Sequence, residues 1–114
     1  MRKTIVMMLA ILLLPLTCLA GGKKDGKTFT VLQWNIWQEG TMVKGGYEAI
    51  LNELERLRPD YVTFSEVRNY RDDFIARVCK DMAKRGVVYY GFHSDDTGLL
   101  SSTPITAHKT VFPL

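Results

Sequence analysis

Between Thr28 and Trp37 the apolar residues Phe29, Val31, Leu32, Trp34, Ile36 and Trp37 leave neither face of an extended segment polar, which predicts a strand covered on both sides. From Tyr47 to Arg58 the spacing becomes helical. Ile50, Leu51, Leu54 and Leu57 share one side, while Glu48, Asn52, Glu53, Glu55 and Arg56 lie on or near the other, and Pro59 stops the helix. Asp60 to Ser65 returns to an extended pattern and delivers Glu66 at its carboxyl end. Residues 28–66 therefore predict a strand–helix–strand unit, with parallel strands and the helix across one face.

A second helix is expected from about Arg71 to Arg85, with Phe74, Ile75, Val78, Cys79 and Met82 as its apolar stripe. Asn69 is its candidate N-cap and Gly86 its candidate C-terminal glycine. Val87–Phe92 reads as a third strand, His93–Thr97 as a polar turn, Gly98–Ser101 as a short strand, and Ile105–Phe112 as a fifth strand after a break at Pro104. The fold class is α/β (α+β), in the order β-α-β-α-β-β-β. Two helices cover one face of such a sheet, and the apolar residues assigned to the other face call for a partner: more chain, or another molecule such as a second copy.

The first twenty residues stand apart. Met1-Arg2-Lys3 is a positive start, Ile5–Leu14 an uncharged apolar run, Pro15 a break, and Cys18-Leu19-Ala20 puts small side chains before Gly21-Gly22. That order predicts a signal peptide over 1–20, an exported product, and a flexible leader over 21–27. Lipid attachment at Cys18 is the alternative. The apolar run is short for a membrane span. The formal net charge of the whole chain is +3, but removing Arg2 and Lys3 with the signal peptide leaves 13 basic against 12 acidic residues, or +1. No broad positive field remains to predict a nucleic-acid partner. Cys79 would be the one cysteine left, which excludes an internal disulfide.

Glycine-rich phosphate loops, His-Glu-x-x-His, Gly-x-Ser-x-Gly and paired Cys-x-x-Cys are all missing. What remains is Asn35 near the end of the first strand and Glu66 at the end of the second. Ligands of open α/β sheets bind at the carboxyl ends of neighbouring parallel strands. A carboxylate there suits a hard cation such as Mg²⁺, and an amide can donate to a phosphate oxygen or orient the acid. His93-Ser94-Asp95-Asp96 has the composition of a turn, and His108 that of a half-exposed strand residue, so neither is given a role. Trp34 is expected in the core. Trp37 is open between core and a ring-stacking surface.

Four pieces, Val31-Leu32-Gln33-Trp34-Asn35-Ile36-Trp37, Ile50–Leu54 with Arg58–Val62, Phe64-Ser65-Glu66-Val67 and Gly98–Ile105, together resemble the opening of the endonuclease/exonuclease/phosphatase (deoxyribonuclease-I-like) superfamily. The resemblance runs over residues 28–112 and implies the N-terminal half of a four-layer αββα sandwich, with 28–114 a partial domain truncated on its C-terminal side. It also implies a phosphoester substrate, Asn35 and Glu66 as catalytic residues, and Glu66 as ligand of a Mg²⁺ cofactor. The family's Asp-x-Asn and Asp-His motifs have no counterpart here, and complete domains of this kind run to roughly 200–250 residues. The expectation is thus a fragment of an exported phosphoesterase or phosphodiesterase, inactive as given. The alternative is a non-catalytic secreted binding module of the same fold. Coding sequence beyond Leu114 that reads into those motifs would decide for the enzyme.

Overall fold

The computed structural model describes residues 27–68, 72–109 and 111. The predicted leader and signal peptide, Asn69 and Arg71 lie outside them, apart from Lys27. Six elements follow in order: β1 (Val31–Asn35), α1 (Gly46–Leu57), β2 (Tyr61–Ser65), α2 (Phe74–Lys84), β3 (Tyr90–Ser94) and β4 (Thr97–Ser101). They form an α+β unit with one four-stranded mixed sheet, ordered β1-β2-β4-β3. β1 and β2 run parallel, while β4 is antiparallel to both β2 and β3.

Strand alternation decides what each face does. Leu32 and Trp34, Val62 and Phe64, and Leu100 are all buried on the side that carries the helices. Ile50, Leu51 and Leu54 of α1 and Phe74, Ile75, Val78 and Met82 of α2 complete that core. An aromatic chain crosses it: Trp34 to Phe64 at 6.3 Å between centroids, Phe64 to Phe74 at 6.0 Å, and Phe74 to Tyr47 at 5.9 Å. The second helix fits closely because Gly91 and Gly98 lack side chains. A Cβ at either position would run into Ile75, which occupies the gap. Polar contacts also join the helices. The Tyr47 hydroxyl donates to Asp81 at 2.6 Å, and Arg85 donates to Asn52, Glu55 and Glu48 at 2.8, 3.1 and 2.7 Å.

Several expectations are corrected. The first strand covers Val31–Asn35 and not 28–37, and Gln33 and Asn35 on its second face are exposed. That face of the sheet is mixed, with Gln33, Thr63 and Ser65 among Val31, Tyr61, Phe92 and Leu99, because alternation assigns the polar residues there. The second helix begins at Phe74, since the Asp73 carboxylate accepts the Ala76 N–H at 3.0 Å and caps it. Gly86, at φ 82°, ends it as expected.

The third strand starts at Tyr90. Val87 is tied back to Met82 O at 3.0 Å, and Tyr89 turns into the core to donate to Pro59 O at 2.6 Å. The polar turn shrinks to Asp95-Asp96, with Asp95 at φ 48°, because His93 and Ser94 stay in the hairpin ladder. No strand forms among the described residues after Ser101. β4 is already flanked on both sides, and the Ser101 hydroxyl, which donates to Thr103 O at 2.7 Å, redirects the chain. His108 then stacks on Phe92, 4.0 Å between centroids. Among the described residues no helix is long and apolar enough to cross a membrane.

Two predictions follow from this packing. Gly98→Ala should destabilise the fold by about 1–3 kcal/mol through overpacking against Ile75, read as a shifted denaturant midpoint. Burial holds the Tyr89 phenol protonated, pushing its pKa up to about 12, with Asp60 adding to the shift, and burial raises Tyr47 as well. The unfolded chain sheds these protons first, near pH 10, so stability should be full below pH 10 and fall between pH 10 and about 12. Tyr89→Phe should flatten that slope in alkaline unfolding curves.

Candidate functional site

In-register pairing of β1 with β2 sets Asn35 opposite Ser65, and Glu66 follows at the end of the ladder. The Asn35 Nδ2 donates to Glu66 Oε1 at 3.0 Å. Its Oδ1 accepts the Trp37 N–H at 2.9 Å, an Asx-type turn that orients the amide with its donor toward the acid. The structure thus brings together the two side chains singled out by the sequence. Asn35 Oδ1 is occupied by backbone, so Glu66 is the member of the pair suited to a cation.

Both residues are seated by unusual backbone. Glu66 has φ 58°, and the segment after β1 makes a left-handed turn, with Trp37, Gln38, Glu39 and Gly40 at φ 45°, 57°, 63° and 75°. Gly40 N–H closes the turn on Ile36 O at 2.7 Å. Left-handed backbone costs an L-residue about 1–2 kcal/mol, and three of these four carry side chains. The turn's N–H groups serve the pair directly: Trp37 N–H holds the Asn35 amide, and Glu39 N–H donates to Glu66 O at 3.2 Å.

Glu39 also anchors the turn. Its side chain is 1% exposed and lies 3.7 Å from Arg77 Nη2 of α2. Arg77 in turn sits 4.4 Å over the Tyr47 ring and pairs with Asp72 at 3.0 Å. Glu39, Gly40, Tyr47, Glu48, Asp72 and Arg77 line a hollow of about 600 Å³. Sequence reasoning missed this anchor, because Gln38–Gly46 shows neither helical nor strand periodicity. The glycines at 40, 45 and 46 signal a special backbone, and nothing local signals the burial of Glu39.

The remaining candidates lie elsewhere. Asp96 O accepts the Val67 N–H at 3.1 Å, and the Asp96 carboxylate takes a two-pronged pair from Arg68 at 2.8 and 2.9 Å, so the hairpin tip braces the segment just past Glu66. His93 contacts Asp95 O at 3.0 Å and Asp73 at 3.5 Å. Cys79 packs on the core, and burial, with the charge of Asp73, pushes its thiol up. Among the described residues no three His, Cys, Asp or Glu side chains gather as a metal cage. Glu66, supported by Asn35, is the group that could hold an ion.

Removing one member of the Glu39–Arg77 pair should have unequal effects. Arg77→Leu removes the cation that faces the buried Glu39 carboxylate and should cost about 1–3 kcal/mol. Glu39→Gln leaves Arg77 with Asp72 and solvent and should cost less. Paired urea-unfolding curves check this order.

No protein-family model, curated protein or solved structure matches this chain.

Proposed function

We propose that the chain carries the metal-holding part of a Mg²⁺-dependent phosphoester-cleaving site of the endonuclease/exonuclease/phosphatase kind, with Glu66 as metal ligand and Asn35 as its partner. The observation that supports this most is the 3.0 Å hydrogen bond joining the two at the carboxyl ends of adjacent parallel strands. The donor set fits Mg²⁺ in its usual habit of one or two protein carboxylates with the rest of its shell left to water and phosphate. On this reading the sheet face away from the helices is the one that meets a second sheet in the sandwich. The export expected from residues 1–20 belongs to the same reading.

The protein's part in the chemistry divides between the two residues. Glu66 offers an oxygen to the ion while its Oε1 is engaged by Asn35, which keeps the carboxylate from swinging. The Asn35 amide, fixed by the Trp37 N–H, presents a hydrogen-bond donor beside the phosphoryl oxygens. The ion supplies charge neutralisation when bound. Aligning water for attack needs an acid/base pair, and the sequence contains neither Asp-x-Asn nor Asp-His. The 114 residues by themselves therefore bind without turning over.

A second reading is a non-catalytic binding module. It is favoured by the half-buried Val31, Tyr61, Phe92 and Leu99 and the exposed Tyr90 on the face away from the helices, a surface suited to a partner.

Calorimetric titration with Mg²⁺ should show weak binding, in about the millimolar range expected of a one-carboxylate site. Glu66→Gln should abolish it and Asn35→Ala weaken it. Metal-loaded protein should show no multiple turnover on a phosphodiester. Unchanged Mg²⁺ affinity in Glu66→Gln overturns the metal assignment, and sustained turnover overturns the inert half-site.

A further inference from the structure

The two tryptophans of the chain are three residues apart and have opposite fates. Trp34 is 7% exposed and belongs to the core, whereas Trp37 is 52% exposed. A tryptophan is among the largest apolar side chains and is usually well buried. This one is also held at φ 45°, a backbone conformation rare for a bulky residue. Strain of that kind persists only where surrounding contacts enforce it, and it concentrates at binding and catalytic sites.

The enforcing contacts belong to the candidate site. Trp37 N–H is bound to Asn35 Oδ1, and the other end of the same amide holds Glu66. Gly40 N–H on Ile36 O closes the turn behind it, and the buried Glu39 carboxylate near Arg77 ties that turn to α2. Extending β1 would have sent residue 37 along the sheet without strain. The left-handed turn instead keeps its backbone two hydrogen bonds from the Glu66 carboxylate and leaves its indole to solvent. Among the described residues, the other large exposed apolar side chains are Phe29, Met42, Val88, Tyr90 and Val111, and none of them is bonded to the pair.

We infer that Trp37 is a ring-stacking platform for the Asn35–Glu66 site, so that the phosphoester taken there carries a ring with an apolar face, a base or a sugar, close to its phosphate. This rests on the proposed reading of Asn35 and Glu66, and adds the class of substrate to it. An indole face recognises rings through dispersion and π contact, which serves a nucleobase and the apolar face of a sugar alike. The net charge of +1 left without the signal peptide provides no track for a long polyanion, which points to a small ester in preference to a polymer.

The test is calorimetric titration of the full chain in Mg²⁺ with three probes: adenosine monophosphate, glucose 1-phosphate and glycerol phosphate. A ring platform predicts that at least one of the first two binds more tightly than glycerol phosphate, which has no ring. Trp37→Ala should remove that advantage, a loss of roughly 5- to 150-fold, and leave glycerol phosphate affinity unchanged. Trp37→Phe should retain part of it. Which of the ring probes is favoured separates a base from a sugar. Equal affinity for all three probes, a Trp37→Ala variant that binds all of them like the parent, or no binding of any probe overturns the platform. Glu66→Gln separates the two layers. Loss of all three probes in that variant supports the metal reading, whereas ring selectivity that survives it while Trp37→Ala abolishes it means the platform stands and the metal reading fails. Because Trp37 lies outside the buried core cluster, thermal unfolding of Trp37→Ala should stay close to the parent and rule out misfolding as the cause.

Discussion

Parallel pairing of β1 with β2, in one register, is the constraint on which the rest of this structure depends. It aligns Leu32 with Val62 and Trp34 with Phe64 on the helix side, and Gln33 with Thr63 and Asn35 with Ser65 on the other. A shift of one residue would exchange the two sets, placing an amide and hydroxyls in the core and an indole outside it. The buried aromatic chain from Trp34 to Tyr47 therefore defends the register energetically. The same register carries Asn35 to the end of its strand just as β2 delivers Glu66. Core packing and site geometry are thus one choice made twice, on opposite faces of two strands.

Much of this is legible in the sequence because it is periodic. The α1 stripe Ile50, Leu51 and Leu54, the α2 stripe from Phe74 to Met82, and the parallel β1–β2 pair all follow from spacing and from a helical crossover. The start of α2 lies later than the expected Arg71 because Asp73 is the residue that caps it. Asp73 caps the helix through Ala76 N–H, whereas Asp72 is drawn into the pair with Arg77. Ile105 onward alternates like a strand, yet a strand needs an edge to join. β4 has none to offer, and the segment lays His108 across Phe92. Alternation records what a segment tolerates, and the neighbouring strands determine whether it pairs.

The candidate site is half legible for a related reason. Asn35 and Glu66 can be located because strand ends are visible in the pattern. The left-handed turn and the anchoring of Glu39 by Arg77 are not, since they join a residue after β1 to one in the middle of α2, 38 positions on. Local propensity opposes this arrangement: Trp37, Gln38 and Glu39 all take backbone that L-residues avoid. The compensation is distributed among the Gly40–Ile36 closure, the contact with Arg77, and the two N–H groups directed at Asn35 and Glu66. Where local preference and observed conformation disagree, tertiary contacts are stabilising a geometry the chain would otherwise leave.

The sheet's second face extends this logic. Its middle rows hold Gln33, Thr63, Leu99 and Phe92, and its last row holds Asn35, Ser65, Thr97 and Ser94. A face that met only water would not gather Tyr61, Tyr90, Phe92 and Leu99, and a face buried in an ordinary core would not place an amide and hydroxyls among them without partners. Apart from Ser101, whose hydroxyl is spent on Thr103 O, the Val31–Tyr61–Tyr90 row is apolar, and the Asn35–Ser94 row, where Glu66 emerges, is fully polar. A covering layer that packs on the apolar end and opens over the polar one would lower the dielectric around Glu66 while leaving the strand tips accessible. Electrostatic interactions at the pair would strengthen without closing its approach. The distribution of side chains on this face and the Asn35–Glu66 pair thus place the most polar rows of the sheet at the same strand tips.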